Sequence, residues 1–343
     1  MIADLLSTSF ARPKATTQMT SDVKFSVAIV TYNGAAFVER QLESILQQSR
    51  PVDEIVLSDD GSSDDTLQRV RALFSKNSRL FKLLTHTGKP GIAANVERAV
   101  RKCNGEIIAL ADQDDIWHYR KIEVILETFS RRPAACVLFG DARVVDSNEV
   151  VLSRSLFDLT RLSFRERAFI RAGKAFEVFL TRNVATGATM AFRRSATEMF
   201  FPIPAGWMHD EWIATIAAAV DAIDLVETPL TDYRQHDANS SGGVPVKLAQ
   251  RLQLFITPNR AQRIASSQRA GALVARLSNM KGVSAHRVQA AAEKAKHLDL
   301  RASLPSGHLR RLGPIIREFT KGGYSQYSTG WRAAIRDLVQ RLD

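Results

Sequence analysis

The chain has 343 residues, 45% of them hydrophobic and 24% charged, which is enough apolar material for one large domain or two smaller ones. No apolar run approaches the ~20 residues of a membrane span. The two cysteines, Cys103 and Cys136, argue against a disulfide framework or a cysteine-built metal site and fit a reducing cytoplasm. The net charge of +11 is lopsided: 18 Lys and Arg against 5 Asp and Glu from Val244 to Asp343 put +13 there and −2 in residues 1–243. Such a basic end region points to an anionic surface, either a membrane or a nucleic acid.

Residues 1–23 lack the basic-then-apolar layout of a signal peptide and read as a flexible polar tail. Residues 25–30 (FSVAIV) are a predicted strand, and Thr31-Tyr32-Asn33-Gly34 turns the chain, with Asn-Gly suited to positive φ. Val38, Leu42, Ile45 and Leu46 repeat at helical spacing until Pro51. Residues 54–58 are a second strand running into Asp59-Asp60-Gly61-Ser62-Ser63-Asp64-Asp65, after which Leu67, Val70, Leu73 and Phe74 are again helically spaced. A strand over 80–84, a helix from Ile92 to about Cys103 and a strand from Ile107 complete four β-then-α units. That alternation implies an α/β fold with a mostly parallel sheet and right-handed crossovers.

The pattern loosens after Ala134. Residues 136–139 are apolar and end at Gly140-Asp141, and residues 186–192 alternate small and apolar types around Gly187, which suits a close backbone approach or a bulge. Trp207-Met208-His209-Asp210-Glu211-Trp212 opens an apolar helix, and residues 231–243 read as a strand end running into a glycine-rich linker. Beyond Pro245 the spacing is helical throughout. Leu248, Leu252 and Phe255 mark one helix, Leu309, Leu312, Ile315, Ile316 and Phe319 another ended by Gly322-Gly323. Trp331, Ile335, Leu338, Val339 and Leu342 form a stripe opposite Arg332 and Arg336. A basic amphipathic helix of this kind either lies on an anionic bilayer or packs its stripe onto the body. The expected division is a tail (1–23), an α/β body (24–243) and a basic helical region (244–343), the last a candidate for membrane association.

Open α/β sheets bind ligands beyond the carboxyl ends of their strands, and here those ends are acidic. The Ile107 strand stops at Asp112, Asp114 and Asp115, followed by Trp117. Negative charge so concentrated calls for a cation such as Mg²⁺, held by one or two carboxylates plus substrate phosphates, although an acidic helix cap would use the same residues. Asp64 and Asp65 read as helix N-caps, whereas Asp60 precedes the glycine turn and is assigned to a ligand. A nucleotide lying across strands one, two and four would meet the backbone of Thr31 and Tyr32 and a carboxylate of Asp59 or Asp60. Asp210, Glu211 and the flanking indoles form an acid/base and sugar-stacking station, or simply acids that suit a first helical turn. Arg234 beside His236 would suit a diphosphate. No G-x-G-x-x-G follows the first strand, no Walker-type lysine loop exists, and the Asp59 run has Val70 where an EF-hand needs Glu.

Five stretches in this order resemble the family 2 inverting glycosyltransferases of GT-A fold. They are residues 27–33 (VAIVTYN), 57–65 (LSDDGSSDD), 110–117 (LADQDDIW), His209-Asp210-Glu211-Trp212, and Tyr233-Arg234-Gln235-His236 with Asn239 and Gly242. The last two are similar to the bacterial polysaccharide branch, especially rhamnosyltransferase-like members. The resemblance spans about Phe25 to Gly243. It implies a Rossmann-like sheet flanked by helices, Mg²⁺ or Mn²⁺ as cofactor, and donor contacts from Thr31, Tyr32, Asn33, Asp60, Gly91, Asn95, Asp112 and Arg234, with Asp60 at the nucleobase. Asp112-Gln113-Asp114 becomes the D-x-D box, with Asp114 as the principal metal contact and Asp112 and His236 as further ones. Asp210 falls at the general base, and Trp117, Glu211 and Trp212 are placed at the acceptor. One departure is His209, where many members carry Glu.

The chemistry suits these residue types: a divalent cation neutralises a leaving diphosphate, and one carboxylate takes the acceptor's proton. The expected activity is metal-dependent, inverting transfer of a sugar, with rhamnose the first candidate, from a UDP- or dTDP-sugar to a saccharide or lipid-linked saccharide. The expected place is the cytoplasm, peripheral at the inner face of the cell membrane. Two rivals stand beside it. A nucleotidyltransferase would show a glycine-rich, basic loop after the first strand, and Thr31-Tyr32-Asn33-Gly34 is neither. A nucleic-acid-binding protein would interleave aromatics with its basic residues, so no nucleic acid is expected as partner.

Overall fold

Three largely apolar runs, residues 25–31, 54–59 and 107–112, form adjacent strands buried on both faces, as expected when helices cover both sides of a parallel sheet, and residues 81–85 pair at the edge, only partly buried. The computed structural model describes residues 22–76, 79–88, 90–236 and 260–340. The body runs β1 (Phe25–Thr31), α1 (Val38–Leu46), β2 (Glu54–Asp59), α2 (Thr66–Lys76), β3 (Phe81–Thr85), α3 (Ile92–Val100), β4 (Ile107–Asp112), β5 (Ile116–Trp117) and α4 (Lys121–Arg131). It continues through β6 (Val137–Gly140), β7 (Arg143–Val145), β8 (Val151–Ser153), α5 (Leu156–Leu159), α6 (Phe164–Arg171), α7 (Ala175–Thr181), β9 (Ala191–Arg193), α8 (Thr197–Phe200), α9 (His209–Ala219), β10 (Ile223–Val226) and β11 (Thr231–Arg234). Seven strands form one sheet in the order β10-β6-β9-β4-β1-β2-β3. All its pairings are parallel except those of β9, which runs antiparallel between β4 and β6.

All four expected β-then-α units form. The second half of the body was less visible in the sequence because its strands are two to four residues long. β5, β11, β7 and β8 make a separate four-stranded sheet. Residues 187–189, inside the alternating stretch, are a 3-10 turn before β9 rather than strand.

The C-terminal region splits in two. α10 (Arg260–Ser278) and α11 (Ala285–Ala302) form an antiparallel hairpin whose Leu273, Leu277 and Ala291 join the body's main apolar core. Basic residues turn inward there: Arg276 donates to the carbonyls of Met199 (2.9 Å) and Pro202 (2.8 Å), and Arg287 grips Asp221 (2.6 and 2.8 Å). Part of the positive charge is therefore spent on internal bonds. α12 (His308–Thr320), α13 (Gly323–Tyr327) and α14 (Trp331–Val339) close around a smaller core of Leu304, Ile315, Tyr324, Ala333 and Ala334. Most of the stripe on α14 lies off its packing face: the helix buries Ala333, Ala334 and Asp337 while Trp331, Ile335 and Val339 stay exposed, and of the described stripe residues Leu338 packs on the small core. The helix expected around Leu248, Leu252 and Phe255, the glycine-rich linker, Asn239, Gly242, Leu342 and most of the N-terminal tail lie outside the described residues.

Asp337 is fully buried and holds this smaller unit together. Its carboxylate accepts from Arg301 (2.6 and 3.0 Å), Arg263 (2.9 Å) and the Tyr324 hydroxyl (2.8 Å). Removing one side of a buried charge network costs about 3–5 kcal/mol. We expect Asp337→Ala to raise amide hydrogen exchange across Trp331–Val339 by about a hundredfold or more; a rise under roughly tenfold would show that the network contributes little.

Candidate active site

Parallel pairing in a single register brings three strand ends to one edge: Thr31 lies opposite Asp59, and Val30 opposite Asp112. A cleft of about 360 Å³ opens there, lined by Thr31, Tyr32, Asp60, Gly91, Asn95, Asp112, Asp114 and Asp210, with Gln113, Gly187 and His209 in its wall. Eight of the expected site residues, far apart in sequence, thus share one cavity.

The adjacent acids where β2 ends, Asp59 and Asp60, have different jobs. Asp59 is fully buried and accepts from the Thr31 hydroxyl (2.7 Å), the Ser62 hydroxyl (2.6 Å) and the amides of Gly61 and Ser62. It shapes the loop. Asp60 accepts the Gly91 amide on one oxygen (2.5 Å), while its other oxygen, Oδ1, has no hydrogen-bond partner and lies 3.6 Å from the Arg98 guanidinium. Asn95 holds the Ser58 carbonyl (3.0 Å) beneath it. Asp64 accepts the Thr66 and Ala35 amides (3.1 and 3.0 Å), so it caps α2 and ties the first loop to the second.

The three acids after β4 also diverge. Burial, then the charges of Asp114 and Asp210, push Asp112 up to about 7 in spite of Lys121. Asp115 points away from the cleft and accepts the Arg234 amide (3.0 Å); burial, then Asp114 and Asp112, hold it well above the usual carboxylate range. Lys121 lies behind, donating to the Ala188 carbonyl and the Thr231 hydroxyl (both 2.8 Å) 4.1 Å from the Trp117 ring; burial pulls it down to about 7 although Asp115 and Asp112 oppose this. No Lys or Arg is among the described residues lining the cleft. A carboxylate pair with so little cationic compensation fits a divalent cation that completes its shell with water and phosphate oxygens.

Asp210 stands in the first turn of α9 and accepts the Glu211 amide (2.6 Å). Its neighbour His209 is buried with no partner on either ring nitrogen, and burial holds it below its usual value against the pull of Asp210. A Cβ on Gly187 would fall 2.3 Å from His209 Nε2, which is the close approach expected of that glycine. The preceding loop is pinned from outside: Trp207 Nε1 donates to the Arg269 carbonyl (3.0 Å), and the Arg269 guanidinium lies 4.5 Å from that indole and pairs with Glu211.

Several assignments require correction. Trp117 and Trp212, expected at the acceptor, are 3% and 0% exposed. Trp212 donates to the Phe200 carbonyl (2.7 Å) and packs edge-on to Trp207, so neither ring is available to a sugar. Glu211 is turned to Arg269 rather than to the cleft. Asn33, at φ +49°, joins the loops through Ser62 and Ser63 (both 2.8 Å) and does not line the cleft. Arg234 is 2% exposed, with donors directed to the Asp114 and Ser147 carbonyls (2.8 and 2.9 Å) and its guanidinium over Phe37, so it shapes the D-x-D turn rather than lining the donor cleft. His236 stacks on Phe37 and bonds Asp114 Oδ2 (2.9 Å). Among the described residues no three His, Cys, Asp or Glu side chains form a ready metal cage. Asp112, Asp114 and His236 are therefore not a preformed set.

Sequence reading passed over three residues. Gln113 clasps the Tyr32 backbone in both directions (2.8 and 3.0 Å). Lys121 is a charge on the buried Ile125–Phe129 face of α4, which is a signal in itself. Arg269 gives no local sign, because its partners are 58 and 62 residues away.

Asp112 carries a pH signature. Raised from 3.8 to about 7 in the folded chain, it lends stability that is full below about pH 4 and is lost as pH climbs through about 7. We expect the melting temperature of Asp112→Asn in chelator, relative to the parent, to increase between about pH 5 and pH 8. A difference independent of pH would rule out an uncompensated carboxylate at that position.

Residues 26–201 match the family described as Glycosyl transferase family 2. The chain is 29% identical over 130 residues to the UDP-Glc:alpha-D-GlcNAc-diphosphoundecaprenol beta-1,3-glucosyltransferase WfgD of Escherichia coli, covering 38% of this chain and 50% of that one. It is 31% identical over 126 residues to the dTDP-rhamnosyl transferase RfbG of Shigella flexneri, covering 36% and 41%. The matches thus span half or less of these relatives' own lengths. Staphylococcus aureus TarS 1-349 in complex with UDP superposes with a TM-score of 0.54 at 16% identity over 90% of this chain and 91% of that one, a likeness of fold, which is GT-A. With the family match covering more than half of its residues, the chain belongs to glycosyl transferase family 2.

Proposed function

We propose that this chain is an inverting sugar transferase, joining a sugar from a pyrimidine nucleotide-sugar to a hydroxyl of a lipid-linked or growing surface saccharide. The observation that carries the reading is that Asp60, Asp112, Asp114 and Asp210, from different segments, face one cleft. Asp60, fixed by the Gly91 amide and paired with Arg98, lines the cleft for the nucleobase, and Thr31 and Tyr32 form the adjoining wall. Asp112 and Asp114 would hold Mg²⁺ or Mn²⁺, which when bound supplies charge neutralisation for the departing diphosphate. His236 steadies Asp114 through the 2.9 Å bond. Asp210 accepts the acceptor hydroxyl's proton as the new bond forms. A single base opposite the leaving group gives one displacement and hence inversion; a glycosidase would instead set two carboxylates about the bond with water as acceptor. UDP and dTDP donors, rhamnose included, and a diphosphate-lipid acceptor are supported by the printed activities of the two enzyme relatives.

Asp210→Asn should lower the transfer rate by about 10²–10⁴ while thermal stabilisation by UDP or dTDP with Mn²⁺ persists; undiminished turnover would remove Asp210 from the base role. Asp114→Ala or chelation should abolish both transfer and metal-dependent nucleotide binding, and full activity in metal-free buffer would overturn the cation assignment.

A further inference from the structure

The two outermost helices present a surface that neither the sheet nor the α10–α11 hairpin covers. On α12, Leu309, Ile316 and Phe319 are 84%, 58% and 43% exposed; on α14, Trp331, Ile335 and Val339 are 60%, 47% and 53% exposed. On each helix they follow helical spacing, so each forms one row; the row on α14 lies opposite the side packed into the small core, while on α12 Phe319 edges onto that core at Tyr324 (6.4 Å) and Leu309 and Ile316 face outward. These rows are flanked by exposed Arg310, Arg317, Lys321 and Arg332, which form no ion pair among the described residues. The acids of these two helices are used inside: Glu318 is bound to His297 (2.7 Å), and Asp337 is buried. The outward face is therefore apolar and basic with no exposed acid of its own.

We propose that α12 and α14 dock this chain on an anionic lipid bilayer, their apolar rows entering the headgroup boundary and their basic residues meeting lipid phosphates. Apolar rows of this length on an exposed helix face need cover, and an edging of unpaired Arg and Lys with no exposed acid selects an anionic surface over a neutral one. The helices lie in the plane of the surface, since no helix among the described residues is long and apolar enough to cross it. Docking deepens the lipid-linked acceptor reading yet rests on residues remote from the cleft, so either can fail alone.

Trp331 makes the test direct, because the other three tryptophans, Trp117, Trp207 and Trp212, are 8% exposed or less. The full chain would be mixed with phosphatidylcholine vesicles with and without about 30% phosphatidylglycerol, and binding read by co-sedimentation and by quenching of tryptophan fluorescence with brominated lipid. We expect at least about tenfold stronger partitioning onto the anionic vesicles, weakened by raised salt. Quenching should disappear in Trp331→Phe while sedimentation persists. Ile316→Glu with Trp331→Glu should lower partitioning at least about tenfold while stabilisation by UDP or dTDP with Mn²⁺ remains, separating loss of docking from failure of the donor site. Equal binding to both vesicle types, undiminished binding of the double variant, or a lipid-free dimer that the double variant dissociates would each overturn the proposal.

Discussion

The parallel pairing of β1 with β2 on one side and β4 on the other is the constraint from which the cleft follows. With Thr31 opposite Asp59 and Val30 opposite Asp112, each strand's last residue meets the same edge. The side-chain period along a strand is two, so a slip of one residue would exchange Asp59 and Asp60 between loop and cleft. Near-complete burial of these strands resists such a slip. Asp59 can then hold the loop while Asp60 lines the cleft.

Around that edge the body is built against its own electrostatic interest. Asp112, Asp114 and Asp210 face one another across a cleft whose described lining has no Lys or Arg, and the cations nearby are engaged elsewhere: Lys121 behind Trp117, Arg234 on carbonyls beside Phe37. That arrangement suits the proposed site for a cation and a diphosphate, since a resident Lys or Arg would occupy the place of the cation. His209, beside Asp210, adds a buried imidazole with no hydrogen-bond partner among the described side chains.

The basic C-terminal region serves two purposes. Its first two helices turn arginines toward the body, and Arg269 reaches the loop and first turn that carry Asp210. Its last helices leave apolar and basic residues outward and keep their own acids inside. Net charge alone could not separate the arginines that close internal bonds from those that face solvent.

The sequence by itself determined the β-then-α order of the first half, the acidic strand ends and the Asp210 turn. Long apolar runs and helical spacing are local signals, and loops rich in acids and glycine stand out beside them. The second sheet escaped because strands of two to four residues are too short for a period to show. The indoles at positions 117 and 212 look the same in sequence whether they face a sugar or the core, and only packing against Lys121, Phe200 and Trp207 settled it. Arg234, Gln113 and Arg269 owe their places to partners many tens of residues away. Which side chain meets which across such distances is decided by the closing of the sheet, and no stretch of chain carries that information alone.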